Sequence, residues 1–122
     1  MNTHLQTDKE NYGLILDSAL QVANSILDKQ PATPPGRYVA ALPKTSVNAE
    51  GIGALKTLEM FAANYADKVA GSAGPRYFGF VTGGSTPASV VADWLVSVMD
   101  QNACGSNDSI APVLEHQTID LL

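Results

Sequence analysis

The sequence of this 122-residue chain predicts a mostly α-helical fold. Four segments repeat apolar residues at the three- and four-residue spacing that lines one face of a helix. Clusters of proline and glycine separate these segments, and such clusters exclude both helix and central strand. Only one short aromatic run, Gly74 to Val81, has the composition of an extended segment. The chain is long enough for one small domain or for part of a larger one.

The first predicted helix runs from about Asp8 to Lys29. Thr7 and Glu10 have the spacing of a capping box, in which each side chain satisfies a free amide at the helix start. The apolar residues that follow at helical spacing are Ile15, Leu16, Ala19, Leu20, Val22, Ala23, Ile26 and Leu27. Their arc is wide, so we expect this helix to be buried on more than one side, against other helices or a partner.

A connector and a second helix come next. The connector, residues 30–42, is expected to lie extended over a surface because it contains Pro31, Pro34, Pro35 and Gly36 and is followed by Pro43. The second helix is expected from Glu50 to Ala70, with Gly71 directly after its last turn. Gly51 and Gly53 weaken its first turn.

The third helix has a clear start, because Ser85 or Thr86 suits its cap and Pro87 suits its first position. Its buried stripe is expected to consist of Val90, Val91, Trp94, Leu95 and Val98. Residues 100–109 are polar and predict a loop. The fourth helix is expected from near Ser109, with Pro112 in its first turn, through Leu122.

Composition and charge exclude several functions. Only 16% of the residues are charged, against about a quarter in typical globular proteins, which favours a fragment or an obligate oligomer. The net charge is −5 and the seven basic residues are scattered, which argues against nucleic-acid binding. No apolar run approaches the roughly 20 residues of a membrane span, and no signal peptide is recognisable. Because the single cysteine, Cys104, excludes an internal disulfide, we expect a soluble, cytoplasmic chain.

The sequence contains no recognisable catalytic or metal-binding motif. The two histidines, His4 and His116, lie at opposite ends, and no three ligands have the spacing of a zinc site. We therefore assign no catalytic residue and no metal ligand to this chain.

The most informative stretch is Gly79 to Pro87. It combines aromatic side chains, two adjacent glycines and a helix start whose free amides attract anions. By chemistry alone, a loop that lines a ligand and a tight structural turn remain equally open. Ser85 is more simply explained as a helix cap. The polar cluster Asp100 to Asn102 is either a set of donors to a ligand or a solvated helix end.

The motif Gly74 to Ala88, followed by Ala92 to Leu95 and Asp100 to Asn102, resembles the group II pyridoxal-phosphate-dependent decarboxylases. This family includes aromatic-amino-acid, histidine and glutamate decarboxylases. Its bacterial members commonly read His-Pro-Arg-Phe-Phe-Gly-Phe, then a Gly-Gly-Ser-x-Pro turn, then an Asp-Trp-Leu helix that ends in Asp-Gln-Asn. The similarity covers most of the chain from about residue 40. This sequence departs from the pattern at Gly74, where the family has histidine, and in the loop 103–109.

The resemblance implies the N-terminal helical segment of a fold-type I enzyme, which is α/β when complete. Residues 1–48 would form a dimerisation helix and its proline-rich connector, and residues 49–122 would begin the decarboxylase domain before its cofactor-binding core. The apolar N-terminal helices imply a homodimer. Pyridoxal phosphate is held by a lysine that typically follows a histidine. None of the lysines here does so, and we assign none to the cofactor: Lys9, Lys29, Lys44, Lys56 and Lys68.

By position, the substrate-pocket loop of the family corresponds to Phe80, Val81, Thr82, Gly83 and Ser85, with a weaker match at Asn102. These residues are the expected contacts to an L-amino-acid substrate. We expect the chain to form part of a decarboxylase and to be inactive alone, a chain cut short inside a helix at Leu122. The alternatives are a helical module that only dimerises, and a pyridoxal-phosphate lyase of the same fold that acts on a different bond.

Overall fold

A computed structural model describes residues 3–38, 49–101, 105 and 107–122. Of these described residues 59% are helical and none lies in a strand, which confirms the prediction of a mostly helical chain. The helices are α1 (Thr3–Glu10), α2 (Tyr12–Lys29), α3 (Ala54–Asn64), α4 (Pro87–Met99) and α5 (Ala111–Asp120), with a 3₁₀ turn at Gln30–Ala32. Among the helices in these ranges, none is long and apolar enough to cross a bilayer.

The chain divides into two compact units, Met1–Gly84 and Ser85–Leu122. The first unit contains α1, α2 and α3, and the second contains α4 and α5. Within the first unit α2 packs on α3, so helices on both sides of the predicted 48/49 boundary share one packed unit. The separate roles expected of residues 1–48 and 49–122 stay a prediction.

The first predicted helix begins earlier than expected and is interrupted at Asn11. The helix starts at Thr3, so the predicted capping box of Thr7 and Glu10 is wrong. The Thr7 hydroxyl instead donates to the carbonyl of Thr3, and Glu10 accepts from Gln6 at 2.8 Å. At the break, both the backbone N–H and the side-chain amide of Asn11 donate to the Thr7 carbonyl. Asparagine competes with the helix for backbone groups in this way, which accounts for the break.

One side of α2 packs on α3. The half-buried residues of α2 include Ile15, Ala19, Val22 and Ile26, and those of α3 are Ala54, Leu55, Leu58 and Ala62. No hydrophobic side chain in the described ranges is fully buried. The first unit is therefore stabilised by partial burial of its apolar side chains. The sequence predicts that its long helix, α2, is buried on more than one side, and the described residues of this chain do not provide that burial.

The start of α3 depends on a residue far away in the sequence. The backbone N–H of Ala54 lies 3.1 and 2.9 Å from the two carboxylate oxygens of Asp8, which is half-buried. The preceding Gly53 has a φ of +80°, a conformation that glycine adopts without strain. A carboxylate satisfies the free amide and also interacts favourably with the positive end of the helix dipole. This contact fixes α1 to α3.

The second predicted helix was too long, because α3 ends at Asn64 rather than near Ala70. The ammonium of Lys68 donates to the carbonyl of Asn64 at 2.6 Å, and the Asn64 amide donates to Met60 at 2.9 Å. These bonds close the helix C-terminus six residues before the expected end. Gly71 is therefore not its capping residue.

The connector begins with the 3₁₀ turn at Gln30–Ala32 and then runs without regular structure along residues 67–76. The backbone N–H of Gly71 donates to the carbonyl of Pro34 at 2.9 Å, and Arg76 donates to the carbonyl of Thr33 at 3.0 Å. Arg37 donates to the carbonyl of Asp67. The rest of the predicted connector, residues 39–42, lies outside the described residues. These hydrogen bonds join the connector to the chain that follows α3.

In the second unit, α4 begins where the sequence predicts. Thr86 is its N-cap and Pro87 its first residue. The expected buried stripe of α4 is wrong, because only Val90 is half-buried, whereas Trp94 is 39% and Leu95 51% exposed. Helical spacing identified the helix correctly, but among the described residues of this unit no other helix packs on α4. The fourth predicted helix is α5, which is shorter than predicted at both ends.

The Asp8 contact predicts a specific loss of stability. Asp8→Ala removes the cap of α3 and its favourable charge, and we expect the free energy of unfolding to fall by about 1 kcal/mol. Asp17→Ala, an exposed carboxylate on α2, is the matched control and should change it by less than about 0.5 kcal/mol. Urea unfolding followed by circular dichroism measures both. Equal losses in the two variants would contradict the cap.

Gly71 predicts a steric constraint on the connector. A Cβ at this position would lie 2.8 Å from the carbonyl oxygen of Thr33 and 3.1 Å from that of Pro34, and both are backbone atoms. We expect Gly71→Ala to destabilise the first unit by about 1–3 kcal/mol. Gly36→Ala is the control, because a Cβ there would have no other atom within 4 Å, and it should be neutral or slightly stabilising. The same urea titration distinguishes the two, and a neutral Gly71→Ala would contradict the close approach.

Candidate functional site

The residues expected to contact substrate lie in the loop before α4. The prediction that Gly74 to Val81 is extended is wrong, because bends and turns occupy residues 74–76 and 79–81 of this run. The backbone N–H of Tyr77 donates to the carbonyl of Gly74 at 3.2 Å, and that of Thr82 to the carbonyl of Gly79 at 3.4 Å. Arg76 is held by the Thr33 carbonyl, so the run bends along the connector rather than forming a strand.

Phe80 and Val81 adopt left-handed backbone conformations, with φ of +54° and +57°. This region is uncommon for any residue except glycine, and a β-branched residue such as valine is a clear outlier there. Both side chains project into solvent, with 92% of Phe80 and 103% of Val81 exposed. Phe78 is also 95% exposed. The loop therefore presents three large apolar side chains that the first unit does not cover, and two of them, Phe80 and Val81, are held on a strained backbone.

The two glycines of the loop have different roles. A Cβ on Gly84, which has a φ of +77°, would lie 3.0 Å from the carbonyl oxygen of Ala73. Gly84 is therefore required for the turn itself. A Cβ on Gly83 would have no other atom within 4 Å, so the backbone of Gly83 is open to an approaching group. Thr82 is exposed, and its hydroxyl lies 3.3 Å from the carbonyl oxygens of Ser72 and Gly79.

The N-terminus of α4 has fewer free backbone amides for an anion than the sequence of the preceding glycine-containing loop suggests. The Ser89 N–H donates to the Thr86 hydroxyl at 3.2 Å, and the Thr86 N–H lies 3.0 Å from the Ser89 hydroxyl. Pro87 has no N–H. Ala88 is left as the one first-turn amide without a partner among the described residues. Because Thr86 is the cap, Ser85 is not required for capping, and its exposed side chain is available for another contact.

The other predicted substrate contact, Asn102, lies outside the described residues. Its neighbour Asp100 ends α4 in a left-handed conformation, with a φ of +46°. Gln101 accepts a hydrogen bond from the Ser109 hydroxyl at 2.6 Å, and the Ser109 hydroxyl also accepts one from the Ala111 N–H at 3.1 Å. The polar cluster after α4 thus joins its loop to the start of α5.

Pyridoxal phosphate does not fit the described residues. The four lysines among them, Lys9, Lys29, Lys56 and Lys68, are exposed. The ammonium of Lys56 lies 3.5 Å from the Glu59 carboxylate, and that of Lys68 is bound to a helix carbonyl. The capping box at α4 also leaves too few amides for a phosphate cradle. Within the described ranges, no three His, Cys, Asp or Glu side chains form a group that could hold a metal ion.

A groove of about 430 Å³ lies in the first unit, between α2 and the end of α3. Its floor is formed by apolar residues that include Val22, Ile26, Ala62, Ala66 and Val69. Lys29 and Arg37 also line it, whereas none of the predicted substrate contacts that the structure describes does. This groove was not expected from the sequence, because its lining comes from three separate segments. The small residues Ala62 and Ala66 at helical spacing are the signal that could have indicated it.

The fold and loop geometry define a mostly helical chain with an exposed, strained apolar loop. Comparison with protein-family models, with curated proteins and with solved structures gave no match to this chain. What the loop does is therefore inferred from its own residues and from the motif resemblance.

The left-handed conformation of Phe80 predicts that glycine is more stable at this position. Phe80→Gly removes a backbone penalty of about 1–2 kcal/mol while losing little packing, so the free energy of unfolding should rise by about 0.5–1 kcal/mol. Phe78→Gly is the matched control, because Phe78 is equally exposed and has no positive φ, and it should be neutral or destabilising. Urea unfolding measures both variants. A loss of stability in Phe80→Gly as large as in Phe78→Gly would contradict the strain.

Proposed function

We propose that this chain is the N-terminal part of a cytoplasmic, pyridoxal-phosphate-dependent carboxy-lyase that decarboxylates an L-amino acid. In this proposal residues 80–85 form one edge of the substrate pocket, and the N-terminal helices contribute to a homodimer interface. The complete enzyme would have the α/β fold of type I. The observation that carries the proposal is the pair Phe80 and Val81, held exposed in a strained conformation within the motif that resembles the decarboxylases.

Strain of this kind supports a functional loop. Backbone strain costs free energy, and it persists at positions where the surrounding structure or a ligand requires it. Here the strained residues bury nothing within the first unit, so their conformation is not explained by packing of that unit. A substrate or another part of the enzyme that covers Phe80 and Val81 would recover the apolar burial that the first unit does not provide.

The chemistry of the loop favours contact with the neutral part of a substrate. Residues 77–89 carry no charged side chain. Phe80 and Val81 supply apolar surface, Ser85 supplies a hydroxyl, and the open backbone at Gly83 allows close approach. When bound, pyridoxal phosphate supplies the electron sink for decarboxylation. Because the described residues do not fit this cofactor, the proposal assigns its binding to another part of the enzyme.

A second candidate function is a helical module that only dimerises. Its support is the pair of hydrogen bonds between the Asp8 carboxylate and the start of α3, because they show that the first unit holds α1 and α3 together with its own residues. Such a module would unfold cooperatively and bind no dye for exposed apolar surface. The decarboxylase proposal instead expects dye binding, because the loop and α4 present uncovered apolar side chains.

The decarboxylase proposal is tested with the full reading frame to which this chain belongs. The purified product should show the imine absorbance of bound pyridoxal phosphate and release labelled carbon dioxide from a carboxyl-labelled L-amino acid. Phe80→Ala should raise KM by about tenfold through lost contact, equivalent to 1.4 kcal/mol. Phe78→Ala is the control at a neighbouring exposed phenylalanine and should leave KM nearly unchanged.

Three results would overturn parts of this proposal. Absence of cofactor absorbance in the full product would reject the enzyme class. Turnover with retention of the carboxylate would identify a lyase that acts on a different bond. For the 122-residue chain alone, borohydride reduction that fixes the cofactor to one specific lysine would show that the cofactor site lies here after all.

A further inference from the structure

The groove in the first unit combines an aliphatic floor with basic side chains. Val22 and Ile26 come from α2, Ala62 comes from α3, and Ala66 comes from the turn that follows α3. All four are half-buried, so the floor is already partly shielded from water. None of the described residues that line the groove is aromatic. Such a floor suits a flexible aliphatic chain better than a flat ring.

The size of the groove fits a small molecule rather than a folded partner. Its volume is about 430 Å³, within the roughly 300–1,000 Å³ of typical small-molecule sites. Along α2 the lining runs from Gln21 to Lys29, which is about 12 Å at 1.5 Å per residue. A protein partner needs about 800 Å² of surface on each side, which a groove of this length does not provide. The shape therefore favours a ligand with a short extended chain.

Arg37 offers hydrogen-bond donors at the groove. Its Nη1 donates to the backbone carbonyl of Asp67, which fixes the guanidinium against the chain that follows α3. The Nε and Nη2 donors have no partner among the described residues. Two parallel N–H groups on a planar guanidinium match the two oxygens of a carboxylate. Because a carbonyl rather than a carboxylate holds Arg37, this contact does not neutralise its charge.

Lys29 is the second cation of the groove, and its ammonium does not cap its own helix. The backbone carbonyl of Lys29 accepts from the N–H of Thr33 at 3.0 Å and from the Thr33 hydroxyl at 2.9 Å. The carbonyl of Gln30 also accepts from the Thr33 N–H, at 3.1 Å. Threonine thus occupies carbonyls at a helix end, where a lysine often binds instead. The ammonium of Lys29 has no partner among the described residues and is available to a ligand.

The charges around the groove favour an anion. Asp67 is the one acidic residue in the described lining, against the two basic residues Lys29 and Arg37. The whole chain has a net charge of −5, so this positive excess is local. Arg76 adds a cation nearby, because it donates to the carbonyl of Thr33, which itself lines the groove. A ligand carboxylate would be complementary to these charges.

We propose that this groove binds a medium-chain aliphatic monocarboxylate. Its carboxylate is bound by Lys29 and Arg37, and its alkyl chain lies on the floor formed by Val22, Ile26 and Ala62. Burial of the chain supplies most of the binding free energy, and the two cations fix its direction. The predicted substrate contacts that the structure describes do not line the groove. The site is therefore separate from the proposed substrate pocket and requires neither pyridoxal phosphate nor decarboxylation.

Titration of the 122-residue chain with octanoate tests the site. In amide NMR spectra, octanoate should shift the signals of groove residues with a Kd on the order of 0.1–1 mM, as expected for a ligand of about ten non-hydrogen atoms. Octanol has the same chain without the charge and should bind about fivefold more weakly. Equal affinities would reject recognition of the carboxylate. Shifts confined to α4 and residues 78–81 would show non-specific binding to exposed apolar side chains and would reject the groove.

Two pairs of variants test the floor and the cations separately. Ala66→Leu should fill the groove and weaken octanoate binding by at least about tenfold. Ala63→Leu is the matched control, because Ala63 is exposed and does not line the groove. Lys29→Gln should weaken binding by about fivefold, whereas Lys56→Gln, whose ammonium pairs with Glu59, should not. Lys29 is exposed, so its variant decides the matter even if Ala66→Leu unfolds the chain. Equal effects within the lysine pair would overturn the proposal.

Two further measurements would identify a different occupant. Groove signals that shift with protein concentration in the absence of octanoate would show that a second copy of the chain fills the groove. If the product of the full reading frame fails to bind octanoate while the 122-residue chain binds it, another part of that protein covers the groove. Either result would overturn the ligand site. Neither would affect the cofactor and carbon dioxide assays, so the two proposals fail separately.

Discussion

The packing of α2 on α3 is the contact on which the first unit depends. It brings together two helices that are separated in sequence by the whole proline-rich connector, and each contributes only half-buried side chains. Partial burial stabilises weakly, because the apolar contribution grows with the area removed from water. Polar contacts therefore contribute much to holding the helices of this unit in place. The Asp8 carboxylate fixes the start of α3, and the hydrogen bonds of Thr33 and Pro34 fix the chain after its end.

The same partial burial links the side of α2 that carries Leu16, Leu20 and Leu27 with the 78–85 loop and α4. Each is a stretch of large apolar side chains that its own unit leaves in contact with water. Exposed apolar patches of this kind mark surfaces that bind something else. The low fraction of charged residues, 16%, is the corresponding signal in the composition. Under the proposed function, these surfaces are the ones that the rest of the enzyme would cover.

Local signals in the sequence predicted local structure at some helix ends and not at others. The start of α4 was predicted because Thr86 and Pro87 determine a helix start by themselves. The cap of α3 was missed because its carboxylate, Asp8, is 46 residues away, and no local pattern reports such a pair. The stripe on α4 was predicted as buried, since spacing identifies the face of a helix but not whether anything packs on it. Aromatic and β-branched residues indicated an extended run at Phe80 and Val81, whereas these are the two central residues of a turn that the Thr82 N–H closes on the Gly79 carbonyl, and their backbone is left-handed.

The unexpected backbone conformation of Phe80 and Val81 bears directly on the proposed function. Local preference and observed conformation disagree at Phe80 and Val81, and such disagreements are expected where a site rather than the fold selects the residue. Glycine would satisfy the backbone at both positions, as Gly84 does three residues later. A phenylalanine and a valine in its place add strain and exposed apolar surface, two costs that the first unit does not offset. Under the proposed function, the side chains of Phe80 and Val81 are what the site requires, and a substrate or another part of the enzyme that covers them offsets both costs.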